Sequence, residues 1–187
     1  MAKIFAKLDK NSEFIAYLVQ LSQAEQAKTR QFAMYGFEVL SELHLTSEQL
    51  TASKNDFMGI FEQALKDPEV SVRVSALRAI AAFFSGIDDQ DVVMGFAPIL
   101  PTLLDTVVEA LKTDEDQGNS TLSSLGELTS AHPEVWKNTT GQLINIISQV
   151  FTEKSFSDFT RSAAVEVVLT LANQMPAALR KAEETRT

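Results

Sequence analysis

Four stretches of this chain share one helical pattern at nearly constant spacing, and that spacing narrows the possible folds sharply. Aligned on Arg30, Arg73, Gly118 and Arg161, they recur at steps of 43, 45 and 43 residues. Each has an apolar residue four positions on (Met34, Leu77, Leu122, Val165) and another seven positions on (Phe37, Ile80, Leu125, Val168), the spacing of one helix face. A shorter amphipathic segment precedes each. Paired helices that hold register over this many units predict an all-α superhelix, in which each unit covers the apolar face of the next. A four-helix bundle also joins its helices by short loops, but nothing in a bundle requires a common register. Valines and isoleucines follow the helical period, and no Asn-Gly or Asp-Gly hairpin signal separates them, so no strand is expected.

About four antiparallel helix pairs are expected in one domain, over residues 12–45, 54–86, 97–132 and 139–175, with 176–187 the start of a further helix and a charged tail. The second pair is the clearest. Phe57, Ile60, Phe61, Ala64 and Leu65 form one face, and Lys66-Asp67-Pro68 stops the helix. Asp67 or Glu69 then caps the next. Residues 70–84 are apolar on almost every side except the line of Ser71, Ser75, Arg78 and Ser85, so that helix is sandwiched between neighbours. Upstream, Ile4, Phe5 and Leu8 read as the tail of a helix, and Asn11-Ser12-Glu13 caps a short one bearing Phe14, Ile15, Leu18 and Leu21. A longer helix runs from about residue 24 to 43; its Gly36 calls for a close crossing, since mid-helix glycine costs ~1 kcal/mol against alanine. Residues 46–55 read as a polar connection with room for a helical turn from Ser47, and Ser85-Gly86 as a C-cap. Asp88-Asp89-Gln90-Asp91 opens a short segment reaching Pro98. The later pairs span about 99–112 with 115–130 and 139–151 with 158–174. Apolar surface is expected at both ends, around Ile4-Phe5 and Leu179.

Composition limits the chemistry. A net charge of −9 over 187 residues argues against nucleic acid or an anionic membrane as partner and for basic proteins; an acidic surface that only keeps the chain soluble is the competing explanation. Without cysteine, neither a disulfide framework nor a thiolate metal site can form. Met1-Ala2-Lys3-Ile4-Phe5 is too short and charged for a signal peptide, and no apolar run is read as approaching the ~20 residues of a membrane span. No HExxH, P-loop, Gly-x-Gly-x-x-Gly or Ser-His-Asp order is present. Asp88, Asp89 and Asp91 lack the glycine and terminal glutamate of a calcium loop and read as capping acids, as do Asp114-Glu115-Asp116. His44 and His132, each at a helix end, complement a helix dipole. Trp136 reads as packing at a unit junction. No enzyme activity and no cofactor are expected.

The string Lys66-Asp67-Pro68-Glu69-Val70-Ser71-Val72-Arg73-Val74-Ser75-Ala76-Leu77 resembles the HEAT consensus, whose aspartate and arginine six residues later form a ladder between repeats. Only the second unit has both; Arg30 and Arg161 lack the aspartate at that spacing. Ala79-Ile80-Ala81-Ala82-Phe83, Phe96-Ala97-Pro98-Ile99-Leu100-Pro101-Thr102-Leu103-Leu104 and the segment from Arg161 to Ala172 resemble blocks of the importin-β (karyopherin-β) nuclear transport receptors, most like the importin-five, karyopherin-β-three type. The likeness covers roughly residues 12–181. It implies a HEAT-repeat solenoid taken from a longer receptor, working between cytoplasm and nucleus. In the full-length receptor it implies basic cargo proteins, nucleoporins and the GTPase Ran as partners. The repeats prominent in Ran binding are not recognisable here. A HEAT scaffold of the phosphatase-regulatory-subunit kind is the alternative; its repeats are of nearly constant length, unlike the 86–98 insertion.

In such a solenoid the second helices line the concave side. Their polar stripe would place Ser75 and Arg78, then Asp116, Ser120, Ser123 and Glu127, then Glu166, Thr170 and Asn173 along a protein-binding groove. Glu127 and Glu166 are the expected contacts for lysine or arginine, with Asp116 a further acidic contact. A solvated face with no partner is the plain alternative.

Overall fold

Helix pairs form where the apolar spacing predicts them. The computed structural model describes residues 12–43, 45–177 and 180, and no strand occurs among them. Helices α1 (Ser12–Leu21) and α2 (Ala27–Leu43) make the first pair. After a short α3 (Ser47–Ala52), α4 (Lys54–Leu65) and α5 (Val70–Ser85) make the second. A short α6 (Gln90–Met94) leads to α7 (Leu100–Thr113) and α8 (Glu115–Ala131), and α9 (Thr140–Thr152) with α10 (Asp158–Gln174) completes the series. The second helices stack in chain order, α2 on α5, α5 on α8 and α8 on α10, while α4, α7 and α9 form a looser outer layer. The result is an α-α superhelix of the HEAT-solenoid kind. The expected elements at residues 1–10, the cap at Asn11, His44, Leu179 and the tail 181–187 lie outside the described residues.

The core follows from the pattern. Met34, Phe37, Leu77, Ile80, Leu122 and Leu125 are buried, whereas Val165 and Val168 of α10 are only half-buried. Among the described residues α10 packs chiefly on α8 and α9, with no further pair stacked beyond it. Across the first units runs a chain of buried rings. Phe37 meets Phe57 at 5.6 Å, Phe57 meets Phe83 at 4.8 Å and Phe83 meets Phe96 at 5.2 Å, all edge-on or tilted, the arrangements aromatic quadrupoles favour. Trp136, in the 3-10 segment Pro133–Asn138, is fully buried.

Three local features differ in detail from the expectation. First, the connection over 46–55 is helical for most of its length. Thr46 and Gln49 form a reciprocal capping box, a signal present in the sequence, and fully buried Leu50 anchors α3. Second, Gly86 is the C-cap of α5 as expected, at φ −91° rather than in a left-handed backbone. It is needed for room, because a Cβ there would stand 2.6 Å from Leu50 Cδ1. Third, Gln90–Thr113 has the length and mean hydropathy of a membrane span, contrary to the expectation of no such run. In the fold it is broken at Gly95 and by a 3-10 turn, Ala97–Ile99, next to Pro98 and Pro101. Val92, Val93, Phe96, Leu100, Leu103 and Leu104 face the core.

Glycine marks the tight crossings. At Gly36 a Cβ would lie 2.5 Å from Leu18 Cδ2 of α1; at Gly118 it would lie 2.6 Å from Leu111 Cδ2 and 3.0 Å from Leu111 Cα. The Leu18 side chain can turn away, but the α7 backbone cannot. Gly118→Ala should therefore destabilise by roughly 1–3 kcal/mol through overpacking, despite alanine's better helix propensity, and Gly36→Ala by less. Thermal unfolding of both variants measures the difference; equal melting temperatures would show that the two crossings yield alike.

Polar joints link successive units, and their chemistry changes along the stack. Arg30 of α2 grips Asp67 bidentately, Nε to Oδ2 at 2.6 Å and Nη2 to Oδ1 at 2.9 Å. Its Nη1 donates to the Ala24 and Glu25 carbonyls, and Asp67 also accepts the Glu69 amide at 3.0 Å. At the second joint Arg73 donates to the Asp67 carbonyl, and its Nη2 lies 2.7 Å from Glu109 Oε2 of α7, a charge contact rather than an aligned hydrogen bond. At the third, Glu115 accepts from the Ser157 amide at 2.8 Å and from the Thr160 hydroxyl. The Asp–Arg pairing survives at the first joint alone. His132 Nε2 lies 3.0 Å from the carbonyl oxygens of Phe84 and Ile87, so it serves the end of α5, in the preceding unit, rather than its own helix.

Candidate protein-binding groove

The polar stripe of the second helices separates into two neighbourhoods. Between α8 and α10 lies a groove of about 490 Å³. Its floor is Leu122, Gly126, Ala163 and Val167, and its polar lining includes Ser123 and Glu127 from α8 with Glu166 and Thr170 from α10. Four predicted residues thus converge. Helical register does this: Ser123 and Glu127 on one helix, and Glu166 and Thr170 on the next, are each four apart and share a face. Thr170 donates its hydroxyl proton to the Glu166 carbonyl at 2.9 Å. Asp116 and Asn173 are exposed and Ser120 half-buried on the same two helices, but all three lie outside the groove.

The second neighbourhood, on α2 and α5, is already neutralised in part. Arg78 Nη2 lies 2.7 Å from Glu38 Oε1. Ser75 is buried and donates to the Ser71 carbonyl at 3.0 Å, a correction to its expected place on an open face, since α5 is flanked by both α2 and α8. Glu127 feels both neighbourhoods. Partial burial, then the charges of Glu42 and Glu38, raise its pKa above the ordinary glutamate value, against the pull of Arg78 and Ser123.

Helical spacing alone does not assign Glu38, Gly126, Asn119 or Phe159 to this face. Glu38 falls one position off the aligned stripe, and Gly126 has no side chain to register in a polar pattern. Phe159 aligns with Asp116 and is hidden by its apolar character. Among the described residues no three histidine, aspartate or glutamate side chains converge to hold a metal. The Asp89 carboxylate caps α6 by accepting the Asp91 and Val92 amides.

Stacked helix pairs with a polar inner face define an α-solenoid. A family model described as "IPO5-like, TPR repeats" matches residues 1–146, so the chain belongs to the IPO5-like family. The 43- and 45-residue steps exceed the ~34 of a TPR unit and fall within the HEAT range. No curated protein matches the chain. Among solved structures, Kap121p superposes with a TM-score of 0.76 at 20% identity over 90% of this chain. Kap121p bound to the SUMO protease Ulp1p and Kap121p bound to Nup53p each give a TM-score of 0.74 at 20% identity over 89%. The chain spans only 16% of the length of these proteins.

Proposed function

We propose that this chain is a protein-binding HEAT segment of a nuclear import receptor, and that its inner face contributes to recognition of basic cargo. The observation that carries the proposal is the α8–α10 groove, where Glu127 and Glu166 from successive units line an apolar floor. Structures of a fold relative bound to Ulp1p and to Nup53p support a receptor role, and the excess of 25 acidic over 16 basic residues suits basic partners. The segment works without a cofactor and catalyses nothing. The whole receptor would bind nucleoporins and Ran and move between cytoplasm and nucleus. The α6 insertion between the second and third pairs departs from the constant repeat length of a phosphatase-type scaffold and favours the transport reading.

Each exposed ion pair adds only ~0.2–1 kcal/mol, so this segment alone should hold a lysine-rich peptide weakly, and less well as salt screens charges over ~8–10 Å. Binding should also weaken in mildly acidic solution, because Glu127 takes up its proton at a higher pH than an ordinary glutamate and its negative charge is then lost. The test is a pair of double charge reversals of equal net change. Reversing Glu127 and Glu166 should weaken peptide binding more than reversing Asp88 and Asp89 near α6. Equal losses, or none, would sink the groove assignment and leave the stripe as solvated surface.

A further inference from the structure

One position in the common register changes its chemistry in every unit. Six residues before Arg30, Arg73, Gly118 and Arg161 stand Ala24, Asp67, Lys112 and Ser155. In the second unit this residue is the acid that Arg30 of the preceding unit clamps. In the fourth unit a serine takes its place, and Gly118 stands where the third unit would supply the arginine. Across from Ser155 there is nevertheless a cation. Lys112 of α7 shares with Glu153 and Ser155 the lining of an outer groove of about 560 Å³ between α7 and α9. We propose that Ser155 is a phosphorylation site for an acid-directed protein kinase, and that its phosphate pairs with Lys112 to link the third and fourth units.

Access and local sequence agree. Residues 153–157 lie between α9 and α10, and Ser155 is exposed. The cap of α10 is the separate task of Ser157, whose Oγ accepts the Thr160 amide at 3.3 Å. Thr113, also followed by acids, is the poorer target, because it ends α7 and gives its hydroxyl proton to the Glu109 carbonyl. Asp158, three residues after Ser155 and 95% open to solvent, is the carboxylate that an acid-directed kinase reads. The kinase moves the γ-phosphoryl group of MgATP. A P–O bond forms at Ser155 Oγ, the bond to the β-phosphate oxygen breaks, and ADP and the hydroxyl proton leave. The product carries about −1.5 to −2 charge and three acceptor oxygens. Lys112 is exposed and enters no ion pair among the described residues. Its ammonium, a point charge with three donors, suits a phosphate. Two acids oppose the added charge. Glu153 accepts the Ser155 amide at 3.1 Å but is exposed and can turn toward water, and Asp158 is already paired with Arg161.

The experiment treats the folded wild-type chain, Ser155→Ala and Lys112→Gln with casein kinase 2 and MgATP. Mass spectrometry maps the phosphate, and thermal unfolding is compared before and after treatment. The wild type should take phosphate on Ser155, and its Tm should rise by about 2–4 °C, the shift expected of new charge-assisted bonds in a chain of this size. Lys112→Gln should take the same phosphate without the rise, which isolates the pair as a double-mutant cycle does. Treated Ser155→Ala, with no phosphate at that residue, corrects for any taken up elsewhere. Hydrogen exchange should place the added protection in the last turn of α7 and in residues 153–157. No phosphate on Ser155 of the folded wild type would overturn the site. A rise of equal size in Lys112→Gln would show that the phosphate finds another partner, and the proposed link falls. An unchanged or lowered Tm in the wild type is equally fatal to it, since repulsion from Glu153 and Asp158 would then cancel or outweigh the pairing.

Discussion

Phe83→Ala should lower the unfolding free energy by about 3–5 kcal/mol, the range for emptying a buried aromatic site. Phe83 is fully buried and touches four other rings, Phe57, Phe61, Phe84 and Phe96. These rings come from α4, α5 and the turn after α6, so the void would open where the second pair meets the insertion. A cavity with rigid aromatic walls collapses poorly, which places the loss toward the upper end. Urea unfolding monitored by circular dichroism reads the effect, with hydrogen exchange to locate it. In a solenoid each unit leans on its neighbours, so α4 and α5 should lose protection first and α9 and α10 least. A loss below ~1 kcal/mol would mean that the site repacks and that the ring chain does not hold these units together.

Removing the Asp67 carboxylate should be the next most damaging change. Burial alone would raise its pKa, but the Arg30 hydrogen bonds, the Glu69 amide and the charges of Arg30 and Arg73 outweigh burial and lower it. A carboxylate whose folded pKa lies below its unfolded one stabilises the fold above the unfolded value, and that contribution fades as pH falls through the folded value. The joint between the first two units is therefore intact at neutral pH and weakens below about pH 4, the unfolded range of aspartate. Asp67→Ala should cost roughly 1.5–3 kcal/mol at pH 7, as for lost hydrogen bonds to charged groups. It should also flatten the acid limb of the stability profile. If the variant and the wild type lose stability in parallel from pH 7 to pH 3, the Arg30–Asp67 joint is not what acid breaks.

The fold is legible in the sequence because a solenoid writes its core periodically. Met34 and Phe37, Leu77 and Ile80, and Leu122 and Leu125 all sit where the common register places them. Local features decided by a single contact are harder to read. Gly86 caps α5 as its context suggests, yet the need for glycine there comes from Leu50, 36 residues earlier in sequence and adjacent only in space. The Asp67–Arg30 joint is obscured because the arginine belongs to the preceding unit, while the repeat consensus offers Arg73 in the same one. On the inner face, helical spacing puts Ser123 with Glu127 and Glu166 with Thr170, and the four line one groove. Spacing alone does not show that Ser75 is covered from both sides, nor that Arg78 turns toward Glu38 and is partly used up.

The polar joints give the stack an uneven mechanical character. The first is a two-point clamp with a planar guanidinium, which resists both sliding and rotation of α2 against α5. The second rests on one half-exposed glutamate, Glu109, 57% open to solvent, and the third on a hydroxyl and an amide around Glu115. At the far end of the same α8–α10 pair, Gln174 Nε2 donates to the Ser130 carbonyl at 3.3 Å. The first joint is thus fixed by one rigid clamp, whereas α8 and α10 keep their relative tilt through separate bonds at the two ends of the pair.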